Sequence, residues 1–291
     1  MNFGDFEIHI LTDGTFRLDG GAMFGVVPKP LWERKSPADE RNRILLAMNV
    51  LLIQAAGKWM LVETGAGDKW DEKRRDIYAL ESDNRLLDQL AARGLRPEHI
   101  AIVINTHLHF DHCGWNTRVV DGKAVPTFPN ATYYVQQGEL EHARRPSDRD
   151  RASYFPHNFE PMAASGQWQL LKGDAEVMPG VEVVVIPGHT GDMQCVRLRS
   201  GGKTAMFWAD LVPTTAHLPF PWIMGYDLYP LTTLESKKKW LPLAARENWL
   251  CLFAHDPKTP ACYLREQDGN LEVDPVAVDL PDFLEGMSFP D

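Results

Sequence analysis

The chain has 291 residues, 44% of them hydrophobic and 24% charged. That mix excludes a disordered, collagen-like or small disulfide-stapled protein and leaves room for one or two globular domains. Forty acidic against 30 basic residues give a formal net charge of −10, a surface that repels phosphate backbones and argues against broad nucleic-acid binding.

In chain order, Phe6–Leu11 predicts a strand, followed by a turn at Asp13-Gly14. Residues 20–36, rich in Gly and Pro with apolar side chains between them, read as an ordered loop. Met48–Ala55 and Lys58–Glu63 flank Ala56-Gly57 and predict a hairpin, after which Thr64-Gly65-Ala66-Gly67 turns the chain. Asn84–Arg93 has helical leucine spacing and stops at Gly94. Ile100–Asn105 is a β-branched run that reads as a buried strand, and Thr132–Val135 as another. Gln137–Arg144 reads as helix, and the polar stretch 145–165 extends it into a helical insertion around 137–165. Strands return at Val181–Ile186, Met193–Leu198 and Thr204–Trp208, with Ser200-Gly201-Gly202 as a hairpin turn. Thr232-x-x-Glu235 reads as a capping box opening a helix that Pro242 would kink or shorten. Leu250–Ala254, Cys262–Arg265 and Leu271–Val273 close the chain as strands. No linker divides the halves, so one layered α/β domain over 1–291 is the simplest reading.

Of the four cysteines, Cys113, Cys195, Cys251 and Cys262, none forms a CxxC pair. The first residues carry no signal-peptide pattern, and no stretch approaches 18 uninterrupted apolar residues. The default expectation is a cytoplasmic protein with reduced thiols and no membrane partner.

The informative segment is Thr106-His107-Leu108-His109-Phe110-Asp111-His112-Cys113-Gly114, directly after a predicted buried strand. Imidazole nitrogens with a carboxylate oxygen are the ligand set of borderline divalent metals. His107 and His109, two apart on extended chain, point the same way. Asp111 and His112 follow once the chain turns and can face a second metal. Further on, His189, Asp210 and His255 each follow an apolar run, as ligands delivered from one edge of a core would.

On His107, His109, Asp111 and His112 in HxHxDH, His189 in PGHT, Asp210 after a strand and His255 near the C-terminus, the sequence resembles the metallo-β-lactamase superfamily. The likeness runs from Glu63-Thr64-Gly65 to His255. It implies an αββα sandwich with a dinuclear site at one edge. His107, His109 and His189 would hold one ion, Asp111, His112 and His255 the other, and Asp210 would bridge them. Zinc is expected first, with Mn, Fe or Co accepted by the same set. Thr12-Asp13-Gly14, the 23–28 loop, Phe128-Pro129-Asn130-Ala131 and Pro187-Gly188-His189-Thr190 resemble the lactonase and methyl parathion hydrolase-like branch. Three departures stand out: Glu63 where relatives often have Asp, Cys113-Gly114-Trp115 where many have paired glycines, and Pro213 where acyl-homoserine lactonases carry a tyrosine.

Two divalent cations sharing an oxygen lower its proton affinity, so a bridging hydroxide becomes available near neutral pH to attack a carbonyl or phosphoryl centre. Asp210 would orient it and Asp111 accept the proton. The expected activity is cleavage of a lactone, aryl ester or phosphotriester in a small, fairly apolar substrate; a metal-dependent redox or persulfide-oxidising enzyme is the alternative on the same fold. The apolar loops 20–32 and Leu211–Pro230 are candidate pocket walls, with Phe24, Trp115, Phe220, Trp222 and Tyr226 as substrate contacts, against burial in the core or a homodimer interface. His217 is a further loop candidate, whereas Lys237-Lys238-Lys239 reads as a solvated helix face.

Overall fold

Strand after strand in the first half is apolar on both faces. Met60 and Val62 point one way and Leu61 the other; Ile102 and Ile104 alternate with Val103 in the same manner, and all six are buried. A strand with no polar face needs cover on both sides, and the computed structural model, which describes residues 1–81 and 85–278, supplies it. Phe6–Asp19, Arg43–Ala55, Lys58–Val62, Ile100–Ile104, Thr132–Gln136 and Trp168–Leu171, with Asn2–Phe3 at the edge, form one seven-stranded sheet. A second seven-stranded sheet runs through Ala175–Met178, Val181–Val185, Gln194–Ser200, Lys203–Phe207, Leu250–Leu252, Ala261–Gln267 and Asn270–Pro275.

The sheets share one core, in which Ile53, Met60 and Ile104 of the first pack with Val183, Val196 and Met206 of the second. The outer face of the first sheet, with Leu52, Leu61 and Val103, is covered by Leu86 and Leu90 of helix Arg85–Ala92 and by Phe159 and Met162 of helix Pro156–Ser165. Leu241 and Ala244 of helix Pro230–Arg246 cover the second sheet. This is an αββα sandwich. Among the described residues no helix is long and apolar enough to cross a membrane, and all four cysteines are free and buried.

Strand direction decides where the polar side chains emerge. Lys203–Phe207 and Leu250–Leu252 are parallel, and Val181–Val185 shares their direction through the antiparallel strand Gln194–Ser200. The segments leaving all three strands therefore lie at one end. The Thr106 carbonyl accepts from Gln194 N at 3.0 Å, and Ala47 N donates to the His255 carbonyl at 3.1 Å, so the exit of Ile100–Ile104 joins the same edge.

Several local expectations are corrected. Asp13-Gly14 is no turn: the first long strand runs on to Asp19 through a bulge between Thr12 and Thr15. Residues 20–36 contain two short helices, Gly20–Phe24 and Lys29–Trp32. The first predicted helix spans Arg85–Ala92, its expected first residue Asn84 lying outside the described residues. Thr232 caps nothing, because the helix already starts at Pro230, whose fixed φ suits a first helical position; Pro242 sits inside it without ending it. Lys237 is buried within that helix, contrary to a solvated face.

Candidate metal centre

The turn after Ile100–Ile104 is tied down before any histidine is placed. Glu63, in the left-handed region at φ 68°, accepts from Thr106 N at 3.1 Å and from Thr106 Oγ1. Glu139 accepts from Leu108 N at 3.0 Å, between His107 and His109, and from Thr190 Oγ1 at 2.6 Å, next to His189. Gly188 has φ 150°, and a Cβ there would lie 2.4 Å from Thr233 Oγ1, so the chain entering His189 requires glycine. Ala209, at φ 48°, holds a conformation that costs a non-glycine residue about 1–3 kcal/mol, directly before Asp210.

These elements bring His107, His109, Asp111, His112, His189, Asp210 and His255 together, all buried. Ligand atoms of His107, His109 and His189 lie within 4.8 Å of one another, and so do those of Asp111, His112 and His255. Asp210 stands between the trios with one oxygen toward each. Its Oδ2 is 3.2 Å from His189 Nε2 and 3.9 Å from His107 Nε2. Its Oδ1 is 3.1 Å from His255 Nε2 and 3.5 Å from His112 Nε2.

The outer contacts orient the rings. His189 Nδ1 donates to Asp227 Oδ1 at 3.0 Å and His255 Nδ1 to the Ala47 carbonyl at 2.8 Å, which leaves each Nε2 lone pair facing inward. His112 Nδ1 lies 3.4 Å from Glu63 Oε1. The inward nitrogens crowd: His189 Nε2 is 3.0 Å from His109 Nδ1, and His255 Nε2 is 3.1 Å from His112 Nε2. His107 Nε2 and Asp210 Oδ1 are buried without a hydrogen-bond partner. Converging lone pairs and orphaned buried acceptors fit divalent cations, and nitrogen with carboxylate oxygen is the donor set such ions take.

Charge in the cluster points the same way. Burial, then His112, His109 and His189, push the His107 imidazole well below its ordinary range, so it is neutral, the form that ligates. Burial and the same neighbourhood do likewise to His109. Burial also works against a charged His112, but the carboxylates of Asp210, Asp111 and Glu63 outweigh it and hold the group well above its usual value. Asp210 is held well below the carboxylate range by His112, His255 and His189 in spite of its burial. The carboxylates call for positive charge, which a bound metal ion would supply.

A cavity of about 270 Å³ opens over the cluster. His109, Asp111, His189, Asp210 and His255 form its floor, and Leu18, Met23, Leu46, Tyr78, Phe110, Arg149 and Met224–Tyr226 its walls. Of the five expected substrate contacts, Tyr226 lines it. Phe24 is fully buried instead, stacked on His217 at 4.5 Å and on Trp32 at 5.3 Å. Trp115 is buried too, its Nε1 donating to Asp13 Oδ1 at 2.8 Å. Phe220 packs on the inter-sheet core and Trp222 edge-on against Phe24. His217 ties the two loops together, bonded to Thr214 Oγ1 in its own loop and to the Met23 carbonyl in the other, and burial pushes it down to about 3. Apolar loops thus turn their aromatics into the protein, where burial contributes more than a wet cavity would. Lys237 holds that arrangement, its Nζ donating to the carbonyls of His217, Pro219 and Trp222. Burial pushes the amine down to about 7.

The sequence reading missed Asp227, Glu139, Tyr78 and Arg149. Glu139 sits in a helix that reads as charged surface, and Asp227 is 38 residues from the histidine it orients. Neither carries a local signal.

The profile of the metallo-beta-lactamase superfamily matches residues 44–255. The N-acyl homoserine lactonase AttM of Rhizobium radiobacter is 27% identical over 191 residues, 62% of this chain and 68% of that protein. A solved structure from Staphylococcus aureus, described as a "probable metal-dependent hydrolase", is 32% identical and superposes with a TM-score of 0.88 over 95% of this chain and 99% of that one. AidC, a dizinc quorum-quenching lactonase solved with a product, shares the fold at 20% identity and a TM-score of 0.78, over 96% and 97% of the two chains. The match spans both sheets and every residue of the ligand cluster from His107 to His255: this chain belongs to the metallo-beta-lactamase superfamily and is a metal-dependent hydrolase.

Proposed function

We propose that the enzyme is dinuclear and cleaves an ester-like bond, in a lactone, an aryl ester or a phosphotriester, within a small substrate. The observation that carries this reading is the position of Asp210, one carboxylate oxygen toward each histidine-containing trio. His107, His109 and His189 would hold one ion and Asp111, His112 and His255 the other, with zinc the first candidate. When bound, the ions supply Lewis acidity and a water acidified to near neutrality.

The chain's own residues do the rest. Asp210 fixes the spacing of the two trios. Asp111 lies on the cavity floor, its Oδ2 3.7–3.8 Å from His255 Nε2 and His112 Nε2, where it can take the proton released as the nucleophile adds. Phe110, Met23, Leu46 and Met224 exclude water beside the reacting bond. The named activities of AttM and AidC favour lactones within this class.

The test is metal quantification together with a hydrolysis panel of lactones, aryl esters and phosphotriesters. Two ions per chain with turnover of at least one class is the expected result. One iron per chain, no turnover and oxygen uptake with a persulfide would overturn it.

A further inference from the structure

The cavity wall opposite the ligand cluster carries an unneutralised cation. Arg149 lines the same space as His109, Asp111, His189, Asp210 and His255. Its Nη2 donates to the Gly225 carbonyl and lies 3.5 Å from that of Asp227, so the guanidinium is fastened to the two residues flanking Tyr226. Among the described residues no protein acceptor meets its Nε or Nη1. The neighbouring Asp150 does not neutralise it: that carboxylate is buried and already engaged, Oδ2 with His142 Nε2 at 2.5 Å and Oδ1 with Ser147 Oγ at 2.6 Å.

The surroundings reinforce the sign. Tyr78 and Tyr226 line the cavity, and among the described residues neither hydroxyl has a protein hydrogen-bond partner. A groove that shares Tyr78 and Ala152 with the cavity adds Lys73, Arg74 and Arg151. Arg74 and Arg151 pair with Asp71 and Asp148, which leaves Lys73 as the surplus positive charge there. This groove carries surplus positive charge in a chain of net charge −10, beside a cavity lined by Asp111, Asp150 and Asp210 as well as Arg149, and positive charge attracts an anion.

We propose that the preferred substrates carry a carboxylate a few bonds from the scissile ester, and that Arg149 binds it. The proposal rests on the hydrolytic reading above and replaces the expected fairly apolar substrate by an acidic one. Arg149 is exposed, but a guanidinium already oriented by a backbone carbonyl loses little freedom on meeting a carboxylate, and a charge-assisted bond is stronger than a neutral one. Tyr226, beside the anchor, can donate its hydroxyl to the same group.

Two matched aryl esters test this on the metal-loaded enzyme: mono-4-nitrophenyl glutarate, which ends in a carboxylate, and 4-nitrophenyl pentanoate, which ends in a methyl. The expected result is a kcat/KM ratio favouring the glutarate ester by roughly 10- to 100-fold, the range of a hydrogen bond to a charged group. The ratio should collapse toward one in Arg149→Gln, through KM, and survive in part in Arg149→Lys. A wild-type ratio near one, or equal losses on both esters in Arg149→Gln, would overturn the proposal, since a loosened wall affects both. Calorimetric binding of glutarate against pentanoate reads the same contact without turnover. If neither ester is cleaved yet glutarate binds more tightly and Arg149→Gln removes the difference, the hydrolytic reading fails and the Arg149 site stands. If neither difference appears, the Arg149 site fails.

Discussion

The ligand edge and the cavity wall line the same space, but they are held differently. At the edge His189 is held from behind by Asp227, His255 by the Ala47 carbonyl, and the Thr106 turn by Glu63. The inner atoms have no freedom left to search for a cation. The wall is held by packing and by carbonyl anchors, with Lys237 drawing in the 217–222 segment and Arg149 fastened to Gly225. Among the described residues the Tyr78 and Tyr226 hydroxyls and the Nε and Nη1 of Arg149 have no protein partner, while Arg149 Nη2 is held by Gly225.

Asp210→Asn is the sharpest way to break the comparison. Replacing one oxygen by an amide removes the group shared by the two trios, so metal content should drop below two ions per chain and turnover by at least roughly 10²-fold, as measured by elemental analysis and steady-state kinetics. Full activity with both ions retained would remove the bridging role.

The next largest effect separates a buried aromatic from a lining one. Phe24→Ala should cost about 3–5 kcal/mol of stability in urea unfolding, because Phe24 is stacked in the interior. Tyr226→Phe should leave the unfolding midpoint almost unmoved and raise KM. If Phe24→Ala changed KM alone, the aromatic would belong to the wall after all.

The smallest expected effect concerns the grip behind the edge. Asp227→Asn keeps the shape but weakens acceptance of the His189 Nδ1 proton, and should lower affinity for one ion by about 10- to 100-fold in chelator competition. A loss of stability with unchanged metal affinity would make Asp227 a fold residue only.

Much of the architecture was legible from periodicity. The hairpin at Ala56-Gly57, the buried strand before His107 and the strands around Ser200-Gly201-Gly202 depend on contacts between near neighbours in sequence. The misreadings share a cause. Asp13-Gly14 has turn residues but serves as a bulge that aims Asp13 at Ala66 N and Gly67 N, more than 50 residues away. Lys237 belongs to a run of three lysines, and its burial depends on carbonyls 15–20 residues back.

The sequence alone determined a candidate donor set, because HxHxDH confines four donors to six residues, and a layered α/β domain, because strands mix with helices in both halves; the αββα arrangement was implied by the family resemblance those residues carry. Tertiary structure decided which side chains face the substrate. Phe24 and Tyr226 lie in similarly apolar loops, yet Phe24 is interior, stacked on His217 and Trp32, while Tyr226 lines the cavity beside Gly225, which Arg149 holds. Contacts of that kind join residues far apart in the chain, so no local pattern encodes them.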